Sequence, residues 1–539
     1  MAVDNVGIAQ RLDAFATLLE LSEANPYTIR AYRRAAETVR SAAVPVDELV
    51  TSGRVRQLRG IGPGIEARLR ELVETGEIAE LAELERELSP ELVGLGRYLG
   101  LTAQRSIDLA RALGIRTADE LREAAAQGRL RDVPGIGEKT EARLLGALAR
   151  EPDEPPARGL LLSRARELVG AVAEALGAEV AGDVRRCRDS CHELAVVAAA
   201  PDPGPILTAF AQLPQIVAVI GQSERDAVGV TIEGTAIKLC VAPPPSFGCE
   251  LMRATGTAAY VAALGPLPDA PNELVLYAAL GVPWCPPELR EEPFAGEPPP
   301  LIELEQIRGD LHSHTTWSDG RQTVEEMGRA ARDRGYEYLA ICDHTPAVGA
   351  VQGLTPDDVR RQGEEIAAAN AALAPFRVLR GIECDILPDG RLDLPDEILA
   401  ELDWVQASVH GGQRMPRREM TKRVLEALRN PSVRCLSHPT GRYIGRRPEN
   451  ALDLEQVYET ALEHGVALEV NGLPLRLDLS GEHARDAIKA GLSLVCSTDA
   501  HSTLGLANMT YAVATARRGW ATAGDVLNTR PLSEILDPT

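Results

Sequence analysis

The sequence predicts a multidomain chain built from three fold classes in succession: an all-α region, a small α/β domain, and a C-terminal α/β domain of βα repeats around parallel strands. Three observations carry that reading. Apolar residues recur at three- and four-residue intervals through residues 1–150, one helix pattern and several short apolar runs follow from 160 to about 290, and from 308 to 539 short apolar strands alternate with amphipathic helices. The length of 539 residues suits three or four domains, each large enough to bury its own core.

In order along the chain, IAQRLDAFATLLELSE and LRELVETGEIAELAELERELS have the helical period and are punctuated by Gly-rich turns. EPDEPPARG (151–159) reads as a linker. The middle region combines the helix LLSRARELVGAVAEALG with the strands ELAVVAAA, IVAVIGQ and AIKLCVA, and the Pro-rich stretch PPELREEPFAGEPPPLIELEQ (286–306) reads as a second joint.

Composition narrows the function classes. With 45% hydrophobic and 25% charged residues the chain is a folded globular one, not a disordered or fibrous one. No apolar run of about 18 residues or more occurs, and the N-terminus lacks a basic stretch followed by an apolar core, so neither membrane insertion nor Sec export is expected and the cytoplasm is the expected location. Nine cysteines scattered from Cys187 to Cys496 suit reduced thiols, and Cys187, Cys191 and His192 lack the second pair that a tetrahedral zinc site needs. The net charge of −22 argues against a nucleic-acid partner, but its distribution weakens the objection. Residues 1–150 carry 21 basic and 23 acidic side chains, and almost all positive charge is arginine because the chain has only four lysines.

The histidines give the strongest chemical signal. Six of nine stand at or just after the end of a short apolar run in the last third: His312 and His314 in RGDLHSHTTWSDG, His344 in YLAICDHT, His410 in WVQASVHGG, His438 in VRCLSHPTGR and His501 in SLVCSTDAHS. Asp319, Glu383 and Asp499 occupy equivalent places. Seven strand candidates end near His312, His344, Glu383, His410, His438, Asn471 and Asp499. In a βα barrel all strand C-termini meet at one rim, so residues a hundred positions apart converge on one pocket. Nine imidazole and carboxylate ligands without thiolate exceed what one open site needs; they suit two or three divalent ions, zinc or manganese with iron as a further option. Such a cluster generates a nucleophile from water at neutral pH and clamps the attacking and leaving oxygens of a phosphoryl transfer, which points to phosphoester hydrolysis.

These motifs resemble the PHP (polymerase and histidinol phosphatase) family, whose metal signatures look like HSHTTWSDG, DHT, GIECDI, SVH, HPTGR and STDAHS here. The resemblance implies a distorted (β/α)7 barrel over about 305–539, three metals, and His312, His314, Asp319, His344, Glu383, His410, His438, Asp499 and His501 as ligands. Of these, His312, His314, His344 and Asp499 are expected to carry the catalysis together with Arg442. Arg442, Arg446 and Arg447 either hold substrate phosphate or form a solvated basic loop.

Two further segments, LRGIGPGIEARLREL (58–72) and LRDVPGIGEKTEARLLGAL (130–148), place a Gly-x-Gly turn before a helix. Glycines let backbone approach a phosphate, and the free amides and dipole at a helix N-terminus bind the anion. This resembles the helix-hairpin-helix motif, which grips the DNA backbone without reading sequence, with Gly60, Gly62, Gly64, Gly135, Gly137 and Lys139 as the contacting residues; ordinary αα turns are the alternative. A third copy at 92–115 is degenerate because Tyr98 and Leu99 interrupt the glycine turn.

The order of these parts, with NPYTIRAYRRAAETVR near the N-terminus, resembles bacterial family X DNA polymerases over nearly the whole chain. It implies a DNA-binding helical domain at 1–88, a second helix-hairpin-helix region at 89–150, a nucleotidyltransferase-like palm at 160–290, and a PHP domain with 3′–5′ exonuclease and phosphatase activity. The palm departs from its pattern. G-S-x-R-R followed by D-x-D becomes GDVRRCRDSCHELAVVAAA, so the paired acids are replaced by Glu193 and Ala195, and the third acid's place falls on Lys238. The T-G-S-K-x-x-N stretch becomes ATGTAAYVA, and the Schiff-base lysine of eukaryotic relatives corresponds to Arg68, which cannot attack as a free amine. The sequence therefore predicts a monomeric metal-dependent hydrolase acting on gapped or 3′-ended DNA, with no templated synthesis; an active gap-filling polymerase and a small-molecule phosphatase are the competing readings.

Overall fold

The computed structural model describes residues 5–149 apart from 22–23, 41, 43–44, 59, 88–89 and 135, and residues 159–536 apart from 295 and 350. The expected linker, except Gly159, and Gly135 of the second hairpin lie outside the described residues. The chain forms two compact units, Met1–Ala157 with Asp202–Val241, and Arg158–Pro201 with Ala242–Thr539, so the segment 160–290 contributes to both.

The first unit is helical with a small sheet. In α1 (Asn5–Leu21) and α2 (Pro26–Arg40) the apolar positions Ile8, Leu12, Phe15 and Leu19 and their counterparts Ile29, Tyr32, Ala36 and Val39 are buried at helical spacing. Phe15 meets Tyr32 edge to face with centroids 4.8 Å apart. Gly60 takes a left-handed φ of 89°, Ile61 plugs the core, and Gly62 caps α3 (Pro63–Thr75), which opens on proline. The helical period that begins at residue 69 is punctuated at Gly76, which is in the left-handed region, as its glycine suggests.

The degenerate middle copy folds as α4 (Pro90–Tyr98), a turn at Gly100 and α5 (Ala103–Leu113). A Cβ on Gly96 would stand 2.0 Å from Ser106 Oγ, so this glycine serves helix packing. In the last hairpin Ile136 repeats the plug and Gly137 precedes α6 (Glu138–Ala149). Both hairpins share one ion pair, from five residues before the isoleucine to five after it: Arg56 to Glu66 at 3.8 Å and Arg131 to Glu141 at 2.7 Å. Arg68 is paired with Glu71 at 3.1 Å and with Glu80. Residues 202–241 add the antiparallel strands Ala218–Gln222, Asp226–Val230 and Ala236–Ala242.

In the second unit the antiparallel strands Glu179–Ala181 and Leu194–Ala199 pack against the helix Leu162–Leu176. Glu273 accepts from Arg185 through both oxygens, at 2.9 and 2.7 Å, and from the fully buried Arg290. The stretch 286–306, read as a joint, is instead packed structure. Ile302 is buried and bonds to Ala521 backbone at 2.9 Å, and Arg517 pairs with Glu288 at 2.7 Å.

The remainder is a nearly closed barrel of seven parallel strands in sequential order: β1 (Gly309–Ser313), β2 (Tyr338–Ile341), β3 (Arg377–Asp385), β4 (Trp404–Ser408), β5 (Cys435–Leu436), β6 (Ala467–Asn471) and β7 (Leu494–Ser497). A bridge from Ser313 to Ala500 joins β1 to the chain leaving β7. All seven lie where the sequence placed them, and this is the distorted (β/α)7 fold. The two-residue period of a strand stacks the interior in layers. Trp404, Cys435, Ala467 and Val495 form an apolar floor, and two residues on, Gln406, Ser437, Glu469 and Ser497 form a buried polar layer.

Candidate metal centre

Above that polar layer the strand ends gather the histidines. Three sets of side chains bring their ligand atoms within 4.8 Å of one another: His314, Asp319, His344 and His501; His312, His314 and Asp499; and His344, Glu383 and His410. Glu383 sits at the centre, with Oε2 3.0 Å from His344 Nδ1 and 3.4 Å from His312 Nε2, and Oε1 2.8 Å from His438 Nε2 and 3.5 Å from His410 Nε2. Asp499 Oδ1 lies 3.2 Å from His314 Nε2, and Asp319 Oδ2 lies 3.2 Å from His501 Nε2. All nine residues singled out in the sequence thus converge.

A shell of hydrogen bonds aims them. Glu469, which sequence reasoning missed, is fully buried and accepts from His312 Nδ1 at 2.6 Å, leaving His312 Nε2 toward the cluster. It also accepts from Ser437 Oγ at 3.0 Å, Ser497 Oγ at 2.5 Å and the His438 amide at 2.5 Å. Asp343 accepts from the Thr315 amide, Thr315 Oγ1, Ser318 Oγ and Gln362 Nε2, which fixes the loop presenting Asp319. Asp385 lies 3.2 Å from His410 Nδ1, and Asn471 donates to Asp499 Oδ2 at 3.1 Å. His438 and Asp499 both have left-handed φ, 26° and 52°, a conformation that side-chain-bearing residues hold only when their surroundings fix it.

The electrostatics fit cations. Burial, with the neighbouring His501 and His344, pushes His314 down to about 3, so its imidazole is neutral and able to ligate. Burial opposes a proton on His501 as well, but Asp319 and Asp499 hold it at about 9. Glu383 and Asp499 stay well below the usual carboxylate range: burial works against their charge and the surrounding histidines outweigh it. The Nδ1 atoms of His314 and His438 are buried without a hydrogen-bond partner. Buried carboxylates that draw charge from imidazoles, together with unsatisfied ring nitrogens, are what a cation would complete, so the donor set fits divalent ions.

The arginines are arranged differently from the sequence reading. Arg442 donates through Nε to Arg476 O at 2.9 Å and through Nη2 to Leu477 O at 2.5 Å, and its Nη1 pairs with Asp189 at 2.8 Å. Its donors are engaged within the chain, and the guanidinium that meets the ligand set is that of Arg476. Arg476 is buried and stacked on Tyr443, and its Nε, unbonded, lies 3.6 Å from Asp499 Oδ2. Arg447 donates to Gly441 O and also stacks on Tyr443; Arg446 is exposed.

Elsewhere, Glu193 is exposed and pairs with Arg186 at 3.3 Å, Ala195 is buried, and Lys238 lies exposed on its strand. Cys187 Sγ accepts from Arg166 at 3.1 Å, and burial pushes the thiols of Cys187 and Cys191 up. Among the described residues, every set of three side chains able to share a metal falls within 312–501. Among the described residues no helix is long and apolar enough to cross a membrane.

The sequence matches a helix-hairpin-helix domain over residues 3–78, a SAM-like helix-hairpin-helix tandem over 99–150 and a PHP domain over 310–472. It is 34% identical over 562 aligned positions, 98% of both chains, to the DNA polymerase/3′-5′ exonuclease PolX of Bacillus subtilis. A probable phosphatase of Acetivibrio thermocellus is 34% identical over 201 positions, 36% of this chain and 78% of the relative. One of Thermoanaerobacter sp. is 28% identical over 232 positions, 41% of this chain and 89% of the relative.

Proposed function

The chain belongs to the family of the Bacillus subtilis DNA polymerase/3′-5′ exonuclease PolX, and from that membership we propose that it is a metal-dependent phosphoesterase that removes nucleotides from 3′ ends of DNA and does not extend them. The observation that carries this reading is the convergence of nine imidazole and carboxylate side chains on one buried cluster in the barrel. His312, His314, Asp319, His344, Glu383, His410, His438, Asp499 and His501 would hold three divalent ions, zinc or manganese. Bound there, the ions supply Lewis acidity and an activated water for attack on the phosphodiester.

The chain's own groups set up that chemistry. Glu469 holds His312 in one tautomer, Asn471 fixes Asp499, and Arg476 places positive charge beside Asp499, where it would stabilise the charge of a phosphoryl group bound at the cluster. On a gapped duplex labelled at the 5′ end of the primer, Mn²⁺ is expected to give a ladder of shortened products. A primer of unchanged length with either Mn²⁺ or Mg²⁺ would refute the reading. A second reading, phosphate-monoester hydrolysis, is favoured by the likeness to probable phosphatases; a 3′-phosphorylated primer that loses only its phosphate would select it.

Two expectations attach to this reading. Glu469→Gln keeps the shape of the side chain and removes the charge facing His312, so metal affinity is expected to fall by about 10- to 100-fold, read by titration against a metallochromic indicator. Unchanged affinity would remove Glu469 from this role. In the first unit, a Cβ at Gly62 or Gly137 meets nothing within 4 Å and neither has left-handed φ. Aspartate there would cap its own helix and repel phosphate. Gly62→Asp with Gly137→Asp should therefore weaken duplex binding by about tenfold at unchanged helix content, and fluorescence anisotropy would expose an error as equal affinity.

A further inference from the structure

The degenerate polymerase motif makes a contact that a vestigial segment would not need. Asp189 stands next to last in the GDVRRCRDS stretch: its Oδ1 accepts from the Ser190 amide at 2.8 Å, its carbonyl accepts from the Leu162 amide at 3.2 Å, and its Oδ2 meets Arg442 Nη1 at 2.8 Å. Burial opposes its charge, yet Arg442 and Arg518 hold Asp189 below the usual carboxylate range. Arg442 passes the constraint on, because Nε and Nη2 bond to the carbonyls of Arg476 and Leu477. That loop carries Arg476, whose guanidinium stands at Asp499, and Asp478, which accepts from Thr440 Oγ1 at 3.0 Å. Leu477 has a left-handed φ of 42°, a backbone that outside bonds must maintain. Every residue in this relay lies in the second compact unit.

The arginines that would face a nucleotide triphosphate in a polymerase are committed elsewhere in the same segment. Arg185 is held by Glu273 through both carboxylate oxygens, and Arg186 by Asp183 and by Glu291 at 3.2 Å. The motif has kept its charges and turned them inward.

We propose that the polymerase-like segment 182–193 is a positioning brace of the hydrolase barrel: Asp189, a positioning residue, locks Arg442, which holds the 476–478 loop and with it Arg476 against the metal cluster. The inference rests on the hydrolase reading above and gives the middle segment a task in the barrel's reaction that does not involve nucleotide or DNA contact.

The test uses the full chain loaded with Mn²⁺ and two substrates, a gapped duplex and the small diester bis-p-nitrophenyl phosphate. Asp189→Asn is expected to lower kcat about tenfold on both substrates, with KM for the small diester and manganese content unchanged. Asp189→Glu should recover activity to within about twofold of the unaltered chain, and Asp189→Asn should add almost nothing once Arg476→Lys is present, because both act through one group. Unaltered activity in Asp189→Asn, a loss confined to the duplex, or losses that multiply in the double variant would each overturn the brace. A wild-type chain that hydrolyses neither substrate would instead defeat the hydrolase reading, and the inference with it.

Discussion

Replacing His344 and Asp499 together by alanine is expected to lower phosphodiester hydrolysis at least about a thousandfold while duplex affinity stays within about twofold. The pair touches every set of candidate ligands. His344 belongs both to the set with Asp319 and His501 and to the set with Glu383 and His410, and Asp499 completes the set with His312 and His314. Deletion therefore weakens each cation's hold at once, and the several kcal/mol that metal charge contributes to a phosphoryl transition state is lost with it. The fold should survive, because the apolar floor of Trp404, Cys435, Ala467 and Val495 lies below and is untouched. DNA affinity should survive because the glycine hairpins belong to the other compact unit. Single-turnover cleavage, bound-metal analysis and anisotropy on the same preparation check the three parts. Hydrolysis at the wild-type rate with the metal gone would place the chemistry outside the barrel.

Why the nine residues were legible and others were not has a physical explanation. A ligand at a strand end interrupts an apolar run with a histidine or an acid, and six such interruptions at βα spacing leave a pattern that survives in one dimension. Glu469 sits inside a strand, between Leu468 and Val470, and what it bonds to is 157 residues away at His312; nothing local announces it. The alternation of β6 was the one available signal, since a carboxylate on an inward-facing position must be bonded. Arg442 misled for the opposite reason. A guanidinium just after HPTG resembles a phosphate ligand, but its partners at Asp189, Arg476 and Leu477 exist only in the fold. Proline density at 286–306 suggested a joint, whereas Arg290 in the same stretch is wholly buried against Glu273.

On a gapped duplex supplied with all four deoxynucleoside triphosphates, the His344→Ala, Asp499→Ala variant is expected to leave the primer at its original length, with extension at least about a thousandfold below what a two-metal centre gives. Nucleotide transfer needs carboxylates to hold two cations, and on the proposed reading the positions that carry them in the family pattern do not supply them. Ala195 has no ligand atom, Glu193 is exposed and paired with Arg186, and Lys238 contributes positive charge. Asp183, the nearest acid, is already committed: it accepts from the amides of His192 and Glu193 at 2.6 and 2.8 Å and pairs with Arg186. Freeing it would break a buried ion pair and leave the Arg186 guanidinium, 3% exposed, to Glu291 and Glu193 alone, which is a cost that metal binding there would have to overcome. The same holds for Arg185, which a triphosphate would have to draw away from both oxygens of Glu273. Restoring only the acids, by Glu193→Asp, Ala195→Asp and Lys238→Asp together, should therefore still give no extension, since the charges that would receive the triphosphate remain spent inside the protein. Template-directed products from the hydrolase-dead variant would show that the inward-turned arginines and missing acids do not decide the matter, and would return a polymerase to this chain.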